Sequence, residues 1–204
     1  GIGSAYDRTP DVRALAPELG RGGRSGVGIA TFLDGGFVVD GGHPTERFTA
    51  RPPEPGNWST PPVLAHHPVP DSWRFVLITP EASQGQSGTD EDESMRSTVE
   101  GADPGIADEI APLLTQHLLP AIVEKDRRTF GEAVTRLGRL NGAWYADEQG
   151  GVYRPPAGEL IEHINRVADV DGVGQSSWGP TVYALTGADA VDSVRQAARD
   201  ILEQ

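Results

Sequence analysis

Between Gly172 and Gly187 the chain reads GVGQSSWGPTVYALTG, so that Gly172, Gly174 and Gly179 bracket Gln175, Ser176, Ser177 and Trp178. Glycines lack a Cβ and let backbone N–H groups approach an anion; the two serine hydroxyls add donors to the same small concavity. Thr181–Thr186 alternates on a β period, which predicts strand, Gly-rich turn and strand, with Pro180 fixing the exit from the turn. A hairpin whose glycines serve only the turn would use the same residues, and both readings stand. A second Gly-rich stretch, Gly20–Gly28 (GRGGRSGVG), sets Arg21 and Arg24 among glycines, with Ser25 and Gly26 following. Guanidinium forks match phosphate oxygens, and glycines permit close backbone approach. The alternative is an ordinary loop with solvated arginines.

Other residue types could contribute. Trp144 and Tyr145, in LNGAWYA, offer flat amphipathic faces that can stack on an aromatic ring or pack in a core. Asp90–Glu93 (DEDE) opens a helix running to about Val99. Its acids suit the first turn and a charged surface, and Asp90 or Glu91 could instead hold Mg²⁺, which takes carboxylates together with substrate phosphates. His66 and His67 are adjacent, and neighbours on a strand point opposite ways, so they read as structural or surface groups. His43, after the Gly41–Gly42 turn, is the better site candidate of the three.

The elements that must position these groups follow from periodicity. Asp11–Leu19 predicts a short amphipathic helix with Pro17 near its end. Ile29–Phe32 and Gly36–Asp40 predict two strands joined as a hairpin. His43–Pro70 is proline-rich and predicts an extended connection. Trp73–Thr79 (WRFVLIT) predicts a central strand covered on both faces. Its end feeds a polar loop from Pro80 to Thr89, a place where α/β folds carry ligands. Helical spacing follows over Pro104–Val123, bent at Pro112 and Pro120, and over Arg128–Gly138, ended by Asn141 and Gly142. Gly158–Ala168 and Ala188–Leu202 predict two more helices, the last with Val191, Val194, Ala198, Ile201 and Leu202 inward. Strand, helices, strand, strand and helix in that order suit an α+β, ferredoxin-like domain.

The chain has 204 residues, a formal charge of −13 and no cysteine. The length is enough for a core without staples. The charge argues against a nucleic acid or an anionic membrane as the partner. The missing thiols remove disulfides, a thiolate nucleophile and a Cys-type zinc site. Lys125 stands alone against sixteen arginines among 17 basic residues. Arginine with abundant carboxylate fits a halophilic, salt-rich cytoplasm, although a GC-rich genome gives the same bias. No apolar run reaches membrane-spanning length, and a cytoplasmic location is expected.

The segments RGGRSGVGIATFLDGGFVVDGG and GVGQSSWGPTVYAL together resemble the β-ribofuranosylaminobenzene 5′-phosphate synthase family of the GHMP kinase superfamily. The similarity extends through LLPAIVEKDRRTFGEAVTRLGRLNG and WYADEQGGVY, nearly the whole chain. It implies a two-lobe fold: residues 1–60 as the end of a ribosomal-S5-domain-2-like lobe, residues 61–204 as a ferredoxin-like C-terminal lobe. Superfamily kinases carry a Ser-Gly-Ile-Asp-type loop whose Asp acts in phosphoryl transfer. Here Gly28 follows Ser25-Gly26-Val27, which favours the synthase branch over a kinase. The family's Gly-Leu-Gly-Ser-type phosphate loop should precede this point, and GIGS at residues 1–4 is at most a remnant, so an N-terminally truncated chain is expected.

The resemblance further implies a decarboxylating phosphoribosyltransferase joining phosphoribosyl pyrophosphate to 4-hydroxybenzoate or 4-aminobenzoate, with Mg²⁺ and in a possible homodimer. Combined with the loop chemistry it assigns Arg24, Ser25 and Ser176 to catalysis. Arg21, Gly26, Gly174, Gln175 and Ser177 would hold substrate, and Trp144 and Trp178 would flank the aromatic ring. The rivals are an ATP-dependent small-molecule kinase and a non-catalytic binding module. The expectation common to these assignments is one pocket shared by Arg24 and Ser176.

Overall fold

The computed structural model describes residues 11–23, 25–42, 58–80 and 104–203. The chain divides into two units, Gly1–Val69 and Pro70–Gln204.

In the first unit, α1 (Val12–Glu18) forms where the sequence predicts a helix. The Asp11 carboxylate caps it, accepting from Arg13 N at 3.0 Å and Ala14 N at 3.4 Å, which satisfies donors a short helix would otherwise leave bare. The expected strand at Ile29–Phe32 is instead part of a helix, α2 (Val27–Asp34). Two local features override the β-branched residues. Thr31 folds its hydroxyl back onto Val27 O at 2.8 Å, and the first N–H groups of the helix find a carboxylate, described below. Gly35, at φ 65°, ends the helix and turns the chain into β1 (Phe37–Asp40).

β1 pairs antiparallel with β2 (Val63–His67), Phe37 opposite His67 and Val38 opposite His66, with an irregularity between Val39 and Asp40. The proline-rich connection therefore ends in a paired strand immediately after Pro61 and Pro62. His66 uses Nε2 on Gly35 O at 3.0 Å, tying the strand to the end of the helix.

The second unit is α+β, as the element order implies. Its sheet runs β3 (Trp73–Ile78), β5 (Val182–Gly187), β4 (Gly172–Gln175), all antiparallel. The expected doubly covered central strand is thus an edge strand among the described residues. Phe75 and Leu77 are 43% and 68% exposed. One face of the sheet is sealed by α7 (Ala157–Val167) and α8 (Val191–Leu202): Leu160, Ile161, Ile164 and Val194 close over Val173, Val182, Ala184 and Ile78. Leu202, expected inward, lies at the frayed end of α8 and is half exposed, while Ile201 packs on the core.

The other face carries α5 (Arg127–Trp144), preceded by α3 (Pro104–Leu113), a π turn (Leu114–Leu118) and α4 (Leu119–Glu124). The anticipated bend takes the form of that π turn. Pro120 has no N–H to continue the ladder, and Leu119 N bonds to Leu114 O, five residues back. Asp126 caps α5 through Thr129 N at 3.1 Å.

Asn141 and Gly142 do not end α5, contrary to the sequence expectation; it runs on to Trp144. Gly142 is buried against the carbonyl of Val152, where a Cβ would collide, so its role is close approach. Gly131 does the same about three turns earlier, on the same face of α5. Its hydrogen-only side meets the Asp171–Gly172 backbone, letting α5 lie directly on β4. Thr135 then bridges helix and strand, donating to Gly131 O and accepting from Val173 N, both at 2.9 Å.

Candidate functional site

The first Gly-rich stretch, in the first unit, leads into the N-terminus of α2. Ser25 Oγ donates to Asp40 Oδ2 at 2.6 Å, and the same oxygen accepts from Gly26 N at 2.6 Å and Val27 N at 3.0 Å. Gly42 N donates to Oδ1 at 3.0 Å. The donors that the sequence offers to a phosphate thus hold a carboxylate of this chain. Burial raises the Asp40 pKa, but the bonds from Ser25, Gly42, Gly26 and Val27 outweigh it and leave the group below its ordinary value. Asp40 is a residue that the sequence reading passed over; its only signal was its place at the end of GFVVD, just before a glycine pair.

Arg21 is exposed, and its carbonyl accepts from Trp58 Nε1 at 2.8 Å. Trp58 also lines an open cleft of about 790 Å³ in this unit, with Arg13, Glu18, Asp34, Thr60 and His66. Among the described residues, none of the catalytic or substrate-binding residues named from the sequence lines that cleft. Arg24 lies outside the described residues, as do Asp90, Glu91 and His43, and so does the expected meeting of Arg24 with Ser176.

The second stretch forms the predicted hairpin. Gly174 is buried, and a Cβ there would stand 2.5 Å from the Tyr183 hydroxyl; Gly172 faces Gly131. The space these glycines leave is therefore occupied from within the chain. Ser176 N bonds to Thr181 O at 2.8 Å and Gly179 N to Ser176 O at 2.9 Å, closing the turn. Ser176 and Ser177 are exposed, and Ser177 has φ 50°, a left-handed conformation uncommon outside glycine.

Gln175 carries the turn's internal wiring. Its Oε1 accepts from Arg154 N at 2.7 Å; its Nε2 donates to Ser177 O at 2.8 Å and Gln149 Oε1 at 3.0 Å. Gln149, at the end of α6 (Ala146–Gln149), is buried and donates to Val152 O at 2.9 Å and Gly142 O at 3.3 Å. Two segments, 142–154 and 175–178, are thereby fastened together.

They display three aromatic rings in a row. Trp144 and Tyr145 lie 6.5 Å apart, Tyr145 and Trp178 4.8 Å apart, both pairs tilted. Trp178 is only 6% exposed, so it backs Tyr145; Trp144 and Tyr145 are the half-exposed members. Burial pushes the hydroxyls of Tyr153 and Tyr183 above their ordinary pKa and keeps them neutral. The structure thus brings Trp144, Gln175, Ser177 and Trp178 together in one place. Gln149 and Arg154 belong to the same place and carried no sequence signal, since a lone Gln and an Arg before two prolines match no motif.

Among the described residues no three His, Asp or Glu converge as metal ligands, and no helix is long and apolar enough to cross a membrane.

Comparison with known proteins gives these arrangements a context. The C-terminal region of GHMP kinases matches residues 118–204. β-Ribofuranosylphenol 5′-phosphate synthase from Archaeoglobus fulgidus is 36% identical over 96% of this chain and 58% of its own length. The synthase of the same name from Methanothermobacter thermautotrophicus is 33% identical over 85% of this chain and 52% of its own length. The chain therefore spans a little over half the length of these curated relatives. Homoserine kinase from Cytophaga hutchinsonii shares the fold, with a TM-score of 0.56 at 16% identity over 100% of this chain and 57% of that one. With its α+β second unit and a sequence held in common with both synthases, the chain is a homologue of the β-ribofuranosylphenol 5′-phosphate synthases, and its residues 118–204 match the C-terminal region of GHMP kinases.

Proposed function

We propose that this protein is a decarboxylating phosphoribosyltransferase, joining phosphoribosyl pyrophosphate to 4-hydroxybenzoate or 4-aminobenzoate with release of CO₂ and pyrophosphate, a step toward methanopterin-type C1 carriers. The observation that carries the reading is the 36% identity to the Archaeoglobus fulgidus synthase across 96% of the chain. The two units correspond on this reading to the end of an S5-like lobe and a ferredoxin-like C-terminal lobe, in a cytoplasmic enzyme that can pair as a homodimer.

The chemistry requires a platform for the aryl ring, donors for phosphate oxygens and a dry surface where the acceptor carboxylate sheds water as the aryl carbon attacks the ribose. Trp144 and Tyr145, backed by Trp178, supply the platform. The hydroxyls of Ser176 and Ser177 face solvent and are open to phosphate, with Gln175 and Gly174 fixing their turn. In the first unit Ser25 and Gly26 are bonded to Asp40, so their contribution is to shape the loop that carries Arg21 and Arg24. Mg²⁺, implied by the family, would neutralise pyrophosphate; the described residues form no ligand set for it, and Asp90 and Glu91 are the residues to test.

The test is release of labelled CO₂ from carboxyl-labelled 4-hydroxybenzoate by the intact protein with phosphoribosyl pyrophosphate and Mg²⁺. Turnover dependent on both substrates supports the assignment. ADP formation from ATP and an alcohol, without CO₂ release, would replace it with a kinase.

A further inference from the structure

We propose that Arg154 is a substrate-anion contact of this site, presented by the Gln149–Gln175 pair; the inference rests on the phosphoribosyltransferase reading above. The argument begins with partners. In the second unit the arginines of the helices are mostly engaged: Arg127 with Asp171 at 2.5 Å, Arg128 with Glu132 at 3.0 Å, Arg136 with Glu109 at 2.9 Å and Arg195 with Asp192 at 3.3 Å. Arg154 is half-buried, and among the described residues its guanidinium makes no hydrogen bond or ion pair. In a chain of net charge −13, carboxylates are abundant, so a partly desolvated cation without one is a departure from the chain's own habit.

Its backbone, by contrast, is held firmly. Arg154 N donates to Gln175 Oε1 at 2.7 Å, and the other end of the same amide donates to Gln149 and to the carbonyl of Ser177. One side chain therefore fixes Arg154 relative to the Ser176–Ser177 turn, beside the segment that carries Trp144 and Tyr145. A guanidinium matches either a phosphate or a carboxylate, and the substrates of the proposed reaction carry both.

The test is Arg154→Met, with Arg154→Lys as the conservative variant, in steady-state assays of the intact enzyme that vary each substrate separately. Since the guanidinium has no partner to lose among the described residues, the thermal midpoint and near-UV circular dichroism should match the wild type. The KM of one substrate should rise about 10–100-fold, with kcat changed less and Lys restoring part of the loss. A rise for phosphoribosyl pyrophosphate assigns Arg154 to phosphate; a rise for the benzoate assigns it to the carboxylate. Unchanged KM values for both substrates in an active Met variant would overturn the proposal while leaving the reaction assignment standing. A wild-type protein that turns over neither substrate overturns the reaction assignment itself. If Met lowers the thermal midpoint, Arg154→Gln replaces it: a stable Gln variant with wild-type KM values for both substrates makes the role structural and also overturns the proposal.

Discussion

The side chains of Gln149 and Gln175 meet amide to amide, Gln175 Nε2 donating to Gln149 Oε1 at 3.0 Å, and between them they fasten four backbone groups on two segments. Gln149→Met keeps the volume and removes every bond. The Gly142 carbonyl keeps its bond from Tyr145 N, but the carbonyl of Val152 and one N–H of Gln175 are stranded in a partly buried setting, where each orphan costs about 1–3 kcal/mol before relaxation. The expected loss is about 2–4 kcal/mol in urea unfolding, of the order of two such orphans. A loss under about 0.5 kcal/mol would show that water replaces the amide and that the pair does not brace the turn.

The second unit was more legible than the first, for a physical reason. Leu160, Ile161, Ile164 and Val194 sit on strongly one-sided helices, and Val182–Gly187 alternates against them, so periodicity alone places the core. Ile29–Phe32 misled because Ile29, Thr31 and Phe32 fit a strand equally well; the deciding partner, Asp40, lies 14 and 13 residues beyond the Gly26 and Val27 N–H groups it holds. Phe75 and Leu77 misled because an apolar run states what a strand could bury, and not what covers it. Gly142 misled because glycine ends helices and also lets backbones touch, and only the position of Val152 distinguishes the two uses. In the candidate site the turn and the tryptophans were legible, since Gly, Ser and Trp have few other uses in such spacing. Gln149 and Arg154 were not, because their roles depend on contacts between segments.

Asp40 gives a pH signature. Its carboxyl is held below the ordinary value of 3.8 in the folded state, so the unfolded chain binds the proton more readily. The stabilisation is fully present above the unfolded pKa and is lost as pH falls through the lower, folded one. Unfolding free energies of wild type and Asp40→Asn, measured between about pH 6 and pH 2, should therefore differ by a constant amount down to about pH 4 and converge below it. A gap that stays constant to the acid end would mean that the bonds from Ser25, Gly26 and Val27 hold the protonated carboxyl as well as the carboxylate.

Ser177 separates strain from chemistry. At φ 50° a residue with a Cβ pays about 1–2 kcal/mol, and glycine avoids that while giving back about 0.5–1 kcal/mol in chain entropy. Ser177→Gly should therefore be neutral or stabilising by up to about 1 kcal/mol. If the hydroxyl contacts phosphate, the KM for phosphoribosyl pyrophosphate rises about 5–10-fold in a protein that is no less stable. Unaltered kinetics would remove Ser177 from the substrate contacts and leave it as a turn residue.

Gly131 tests how the helix is seated on the sheet. In an exposed helix, replacing glycine with alanine gains about 1 kcal/mol. At Gly131 the added methyl would strike the carbonyl and carbon of Asp171 and the nitrogen of Gly172, which are backbone atoms that no rotamer change can clear. α5 or β4 would have to move, pulling Thr135 from Val173 N and opening the contact that continues to Gly142. Overpacking of this kind costs about 1–3 kcal/mol, and the lost bridge about another 1 kcal/mol. The clash outweighs the propensity, so Gly131→Ala should lose about 1–3 kcal/mol in chemical denaturation. Gly138→Ala on the same helix is the control. Its nearest neighbour is the Tyr183 hydroxyl at 3.7 Å, an ordinary contact distance, and propensity should prevail there with a gain of up to about 1 kcal/mol. Equal effects at the two positions would mean that α5 is not seated on β4 through Gly131, and the path from the helix to the Gln149–Gln175 pair would need another origin.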